Sequence, residues 1–182
     1  MKITGSIVRP FIPFVISLGV FVAIIIWFTA NFTDYRPNIP LLNRHSGQFR
    51  ITVPDKVHYN QPFKAVFSLD TNGRSVNAIG LIINYENDNL RVVTIDTTKS
   101  FCQFYPEKKF NDSLGKVFLS CGSPSPGFSG ESTVIEVEFM PVKIGQTSLL
   151  LDQNSKILLS DGKGSNILTE FPKASITIIN TL

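Results

Sequence analysis

The sequence predicts an all-β sandwich of nine strands behind one N-terminal transmembrane helix. Three observations lead there. Residues 11–30, FIPFVISLGVFVAIIIWFTA, form a run of 20 residues without a charge. From residue 48 onward the chain breaks into short alternating runs rich in Val, Ile, Phe and Thr, with turn signals roughly every 8 to 15 residues. No stretch of that region holds a helical period, and many short strands closed by tight turns are the pattern of a sandwich.

The apolar run comes first. At about 1.5 Å per residue a helix over 11–30 spans the roughly 30 Å hydrocarbon core of a bilayer. Pro10 and Pro13 fall at its start, where a helix tolerates proline, and Trp27 and Phe28 fall near its other end, where rings favour the interface. Lys2, Arg9 and the terminal amine precede the run, which by the positive-inside rule sets residues 1–10 in the cytoplasm. The expectation is a single-pass protein of the cell membrane with its domain outside the cell. A cleaved signal peptide is the alternative, but its apolar run would be shorter, and Phe28-Thr29-Ala30 puts a ring where a small residue is wanted. Gly19 and Ala23 have small-xxx-small spacing, which would suit helix packing in an envelope complex. Residues 31–47 are polar, carry Pro37 and Pro40, and read as a stalk.

The strands follow in order within a domain of residues 48–182. They are expected at 49–53, 63–70, 76–85, 90–96, 116–121, 132–142, 147–152, 156–161 and 174–180. In the third, Ile79, Leu81, Ile83 and Tyr85 point inward and Ala78, Gly80, Ile82 and Asn84 outward. In the sixth, Ile135, Val137 and Phe139 point inward and Glu136 and Glu138 outward. The segment 101–115, FCQFYPEKKFNDSLG, reads as an insertion.

Charge and composition exclude several functions. The chain carries a net charge of +3, but Lys2, Arg9, Arg36 and Arg44 precede residue 48 and Asp34 is the only acid there, so the domain is neutral. A nucleic-acid binder needs a clustered basic surface, and none is present. His45 and His58 are the only histidines, and Ser129 in GFSGES lacks the nucleophile elbow, so no catalytic residue is assigned. DTNG, ENDN and SDGKGSN offer oxygen ligands without calcium-loop spacing and read as turns, so no metal or other cofactor is expected. Two asparagines, Asn31 and Asn111, fit the glycosylation pattern, to which no function is attached. Cys102 and Cys121 are the only cysteines. In an oxidising compartment they form a disulfide; the alternative is two buried thiols.

Tyr85-Glu86-Asn87-Asp88-Asn89-Leu90 followed by Val92-Val93-Thr94-Ile95-Asp96 resembles the third and fourth strands of the cohesin domain, the module that binds dockerins. GFSGESTVIEVEFMPVKIGQTSLLLD and KILLSDGKGSNIL resemble later cohesin segments, so the likeness covers about residues 48–180. It implies a nine-stranded jelly-roll sandwich related to cellulose-binding modules. Asn87 stands where the family has Pro, and Ala78 and Gly80 stand where binders of type I dockerins carry Asn and Asp.

The resemblance implies a dockerin-like partner, or another surface protein, on the outward faces of the third, fifth and sixth strands. Gly80, Ile82, Asn84, Leu119, Glu136 and Glu138 are the expected contact residues. The second expectation, from the fold shared with cellulose-binding modules, is polysaccharide binding; the domain has no Trp, so Phe101, Phe104, Tyr105 and Phe110 would form the platform, or else they cover the sandwich end. The third is a structural subunit of an envelope complex.

Overall fold

The computed structural model describes residues 46–180. The expected cytoplasmic segment, the transmembrane helix and all but the last two stalk residues lie outside them. Among the described residues no helix is long and apolar enough to cross a membrane.

Eleven strands, not nine, make up this region. They are β1 (Gln48–Thr52), β2 (Lys56–His58), β3 (Phe63–Asp70), β4 (Val76–Tyr85), β5 (Leu90–Asp96), β6 (Phe104–Asn111), β7 (Lys116–Gly122), β8 (Glu131–Pro141), β9 (Gly145–Leu151), β10 (Lys156–Leu159) and β11 (Lys173–Ile179). A 3-10 turn, Asp112–Leu114, joins β6 to β7. The two strands that the sequence pattern did not reveal are β2, which has three residues, and β6, taken above for an insertion. Both lie at sheet edges. β6 buries no residue, so it has no apolar alternation for the pattern to register.

The smaller sheet runs β1-β3-β8-β5, and all its pairings are antiparallel. The larger runs β2-β11-β9-β4-β7-β6, with β10 also on β4. The alternation read from the sequence is obeyed at the core. Ile79, Leu81, Ile83 and Tyr85 of β4 are buried, and so are Ile135, Val137 and Phe139 of β8. The Tyr85 ring meets Phe139 edge-on at 5.4 Å, and Phe63 stacks on Phe139 at 5.9 Å. Each fully buried side chain of this size contributes about 1.5–3 kcal/mol. Between Phe67 and Ser68 of β3 the register with β8 shifts, which leaves Val134 as an extra residue. That bulge lets Val134 and Ile135 be buried in succession, against a strict period of two.

Two loop contacts tie β4 to its neighbours. The Tyr85 hydroxyl donates to Asp112 Oδ1, which also accepts from the Val92 amide at 3.3 Å. Burial first, and then the Asp112 carboxylate, push the Tyr85 phenol above its ordinary range. Gly115 has φ +61°, and a Cβ there would run into the Tyr85 carbonyl oxygen. Only glycine lets the chain turn back so close to β4.

Candidate functional site: the outer face of the larger sheet

Strand β4 runs through the middle of the larger sheet and changes partner on one edge. β10 pairs with its first half and β9 with Ile83, Asn84 and Tyr85. Ile82 lies at the changeover with no strand opposite on that edge. Its amide donates to Ser155 Oγ at 3.0 Å, and its carbonyl accepts from the Asp152 amide at 2.9 Å and from Ser155 Oγ at 3.3 Å. The buried Ser155 hydroxyl thus stands in for a missing strand.

The Asp152 carboxylate secures the same corner. It accepts from the Asn154 amide at 2.9 Å, from Asn84 Nδ2 at 3.0 Å and from Lys116 Nζ at 3.0 Å. These donors, the Asn154 amide foremost, hold Asp152 well below the usual carboxylate range. Asn84 therefore spends its amide on the fold.

Register shows which side chains share the outer face. Ala78, Gly80 and Ile82 of β4 lie beside Gly122, Ser120 and Phe118 of β7. Lys156 and Leu158 of β10 flank Gly80 and Ala78 on the other side. On β6, Glu107 and Lys109 lie beside Ser120 and Phe118, and Phe104 lies over Gly122. A shallow groove of about 290 Å³ sits here, lined by Ala78, Gly80, Ser120, Phe104, Pro106 and Leu158, with Lys156 at its side. Phe104 is 50% exposed. Lys109 Nζ lies 5.5 Å from the Phe118 ring centre and 2.8 Å from the Glu107 carboxylate.

The six expected contact residues do not form one surface. Gly80, Ile82 and Asn84 share the outer face of β4 and are half-buried. Leu119 is 1% exposed and pairs with the inward Leu81, so it belongs to the core; Phe118 and Ser120 are the outward residues of β7. Glu136 and Glu138 are on β8, in the other sheet.

The outer face of the smaller sheet is built differently. Glu136 is 7% exposed, with Lys99 Nζ at 2.6 Å and Lys64 Nζ at 3.6 Å. The Lys99 hydrogen bond holds its carboxyl below the usual range, and the same contact raises the Lys99 ammonium. Arg50, Lys64, Glu138 and Asp96 line the strands around it. Paired charges of this kind make a solvated face.

The expected aromatic platform is also divided. Phe101 stacks on Phe128 at 4.4 Å and packs against the core. The Tyr105 hydroxyl donates toward the carbonyls of Cys102 and Thr97, at 3.2 and 3.3 Å. Phe104 lies on the outer face, whereas Phe110 pairs with the inward Val117 and is 42% exposed at the strand's other face. Cys102 and Cys121 are joined as a disulfide that ties the start of β6 to β7. Among the described residues no group of three His, Cys, Asp or Glu side chains could hold a metal ion. In the SDGKGSN turn, Asp161 Oδ1 accepts from the backbone amides of Lys163 and Gly164.

No family model matches the chain, and no curated protein matches it. Solved structures do. A cohesin module from a family 33 glycoside hydrolase of Clostridium perfringens superposes with a TM-score of 0.62 at 20% identity, covering 75% of this chain and 99% of that one. The fold is that of a cohesin module. The seventh ScaB type I cohesin of Pseudobacteroides cellulosolvens gives 0.56 at 15% identity over 74% of this chain and 94% of its own. A type I cohesin in a cohesin–dockerin complex from Clostridium thermocellum gives 0.55 at 8% identity, over 74% and 96%. With β6 counted and the short β2 set aside, the third, fifth and sixth strands of this cohesin-like sandwich are β4, β6 and β7. They lie in the larger sheet, with β7 between the other two. Without β6 the strand count from the sequence is short by one, which makes β8, with Glu136 and Glu138, the sixth strand; Leu119 is on a strand of this face but points into the core.

Proposed function

We propose that this domain is a non-catalytic attachment module that receives a dockerin-type helix pair on the outer face of β4, β7 and β6. The observation that carries the reading is the contrast between the two outer faces. The smaller sheet presents Glu136 ion-paired to Lys64 and Lys99, with Val66, Met140 and Val93 set among charged neighbours, whereas the larger gathers Ala78, Ile82, Phe118, Leu158 and Phe104 around a shallow groove. A flat apolar patch with a polar rim is the form of a protein-binding surface. The likeness to cohesin modules supports the partner class.

The reading places the domain outside the cell on a membrane anchor formed by residues 11–30. The charge-free run, the basic residues before it and the disulfide support this. Protease added to intact cells should then remove the domain; protection from protease would overturn the placement.

The test of attachment is capture from the host's lysate and culture medium by the full chain in lipid nanodiscs, with and without calcium. The expected result is a protein with paired calcium-loop repeats, identified by mass spectrometry and captured only with calcium. Ile82→Asp should abolish capture at unchanged melting temperature. Equal capture by Ile82→Asp would show that another face binds. Recovery of polysaccharide without protein would replace the attachment reading.

A further inference from the structure

We propose that the contact element of the partner is an amphipathic helix that lays a large apolar side chain over Gly80 and turns an acidic residue toward Lys156. The proposal rests on the attachment reading and names the chemistry of the occupant.

The groove has a floor and two walls. Ala78, Gly80 and Ser120 form the floor, and none of them has a side chain long enough to fill it. A Cβ added at Gly80 meets nothing within 4 Å, so the space above that residue is open. Phe104 and Pro106 of β6 form one wall, Leu158 and Lys156 of β10 the other. Three strand spacings separate β10 from β6, about 14 Å at roughly 4.8 Å each. An α-helix with side chains is about 10–12 Å across. One helix lying along the strands over β4 and β7 would rest on both walls, and the bare floor between them calls for a bulky residue from above. An extended strand would leave the floor unfilled.

Charge sets the polarity of the rim. Glu107 is matched by Lys109, and Asp152 by Lys116. Lys156 is exposed and makes no ion pair among the described residues. The wall that it forms is left with one uncompensated positive charge, which favours an acidic flank on the partner.

Two synthetic helical peptides of about 16 residues would test this. Both carry one Leu stripe; one is flanked by Glu and the other by Lys. Binding is measured by interferometry on the full chain in phosphatidylcholine nanodiscs, with empty nanodiscs subtracted. The Glu-flanked peptide should bind about threefold tighter at low salt, a preference that shrinks as salt is added. Lys156→Glu should reverse the preference, and Gly80→Leu should weaken both peptides about tenfold or more by filling the floor. A preference unchanged by Lys156→Glu, tight binding retained by Gly80→Leu, or no binding of either peptide would each overturn the proposal. Calcium-dependent capture of a dockerin pair with no preference between peptides would refute this inference and leave the attachment reading standing. A reversible preference without such capture would refute the dockerin reading alone.

Discussion

Replacing both Cys102 and Cys121 by Ala removes the covalent tie between the start of β6 and β7. The bridge spans a sequence separation of 19 residues. The loop-entropy relation gives about 3 kcal/mol for a closed loop of that size. For a domain of this length 1 kcal/mol corresponds to about 3–4 °C, so the melting temperature should fall by about 10 °C. Loss of the two buried sulfur atoms acts in the same direction. Calorimetry on the oxidised protein and the double variant measures the global effect. Hydrogen exchange adds a local one, because β6 is joined to the larger sheet only through β7 and buries none of its own residues. Its amides should lose protection first, ahead of those of β3 and β8 in the other sheet. A melting temperature within 2 °C of the parent's, or equal loss of protection in all strands, would refute the view that the bridge holds a weakly anchored edge.

Gly115→Ala should destabilise by about 2 kcal/mol or more, since it forces a left-handed residue against the Tyr85 carbonyl. Gly80→Ala, with open space above it, should stay within about 0.5 kcal/mol of the parent; denaturant titration of the two separates the cases. Leu119→Ala should cost about 2–5 kcal/mol as a core truncation, whereas Phe118→Ala should weaken partner capture and cost much less stability. Acid should destabilise the fold. Asp96, Glu136, Asp152 and Asp161 are all held below their ordinary values in the folded state, so the unfolded chain binds more protons as pH falls. Their stabilisation is complete above the unfolded values near 4 and is lost as pH drops through the folded ones. Melting temperatures should be nearly level from pH 7 to about 5 and fall below about 4; a melting temperature that holds level down to pH 2 would contradict this.

Strands that bury one side were legible in the sequence, and strands that bury nothing were not. Ile79, Leu81, Ile83 and Tyr85 announce β4 because each alternate residue must leave water. The exposed Lys108, Lys109 and Asn111 of β6 carry no such signal, and only pairing with β7 makes them a strand. That gap then propagated to the site. With β6 missing from the count, the sixth strand becomes β8, and Glu136 and Glu138 fall in the other sheet; the outward expectation for Leu119 is a separate error, since its strand alternates the other way. Sequence could have corrected the last error, because KVFLSC alternates with Val117, Leu119 and Cys121 on one side. It could not have shown that Glu136 is covered by Lys64 and Lys99, which come from β3 and from the turn after β5. Nor could it show that Asp152 and Ser155 fill the gap beside Ile82, contacts across 70 or more positions of the chain.

The edges of the sheets bear on how this domain could hold a partner. An open strand edge invites another strand, and such pairing is indiscriminate. At one end of the larger sheet β2 is three residues long. At the other end, β6 carries Pro106, Lys108 and Lys109, and its register with β7 shifts between Phe104 and Glu107. Proline, lysine and a bulge are each obstacles to strand addition. With both edges blunted, Ala78, Ile82, Phe118, Leu158 and Phe104 are left as an apolar patch on its outer face, around Gly80. A face recognises its partner through side chains and shape rather than through the backbone ladder. On the proposed reading it would discriminate, and a change as small as Ile82→Asp suffices to test it.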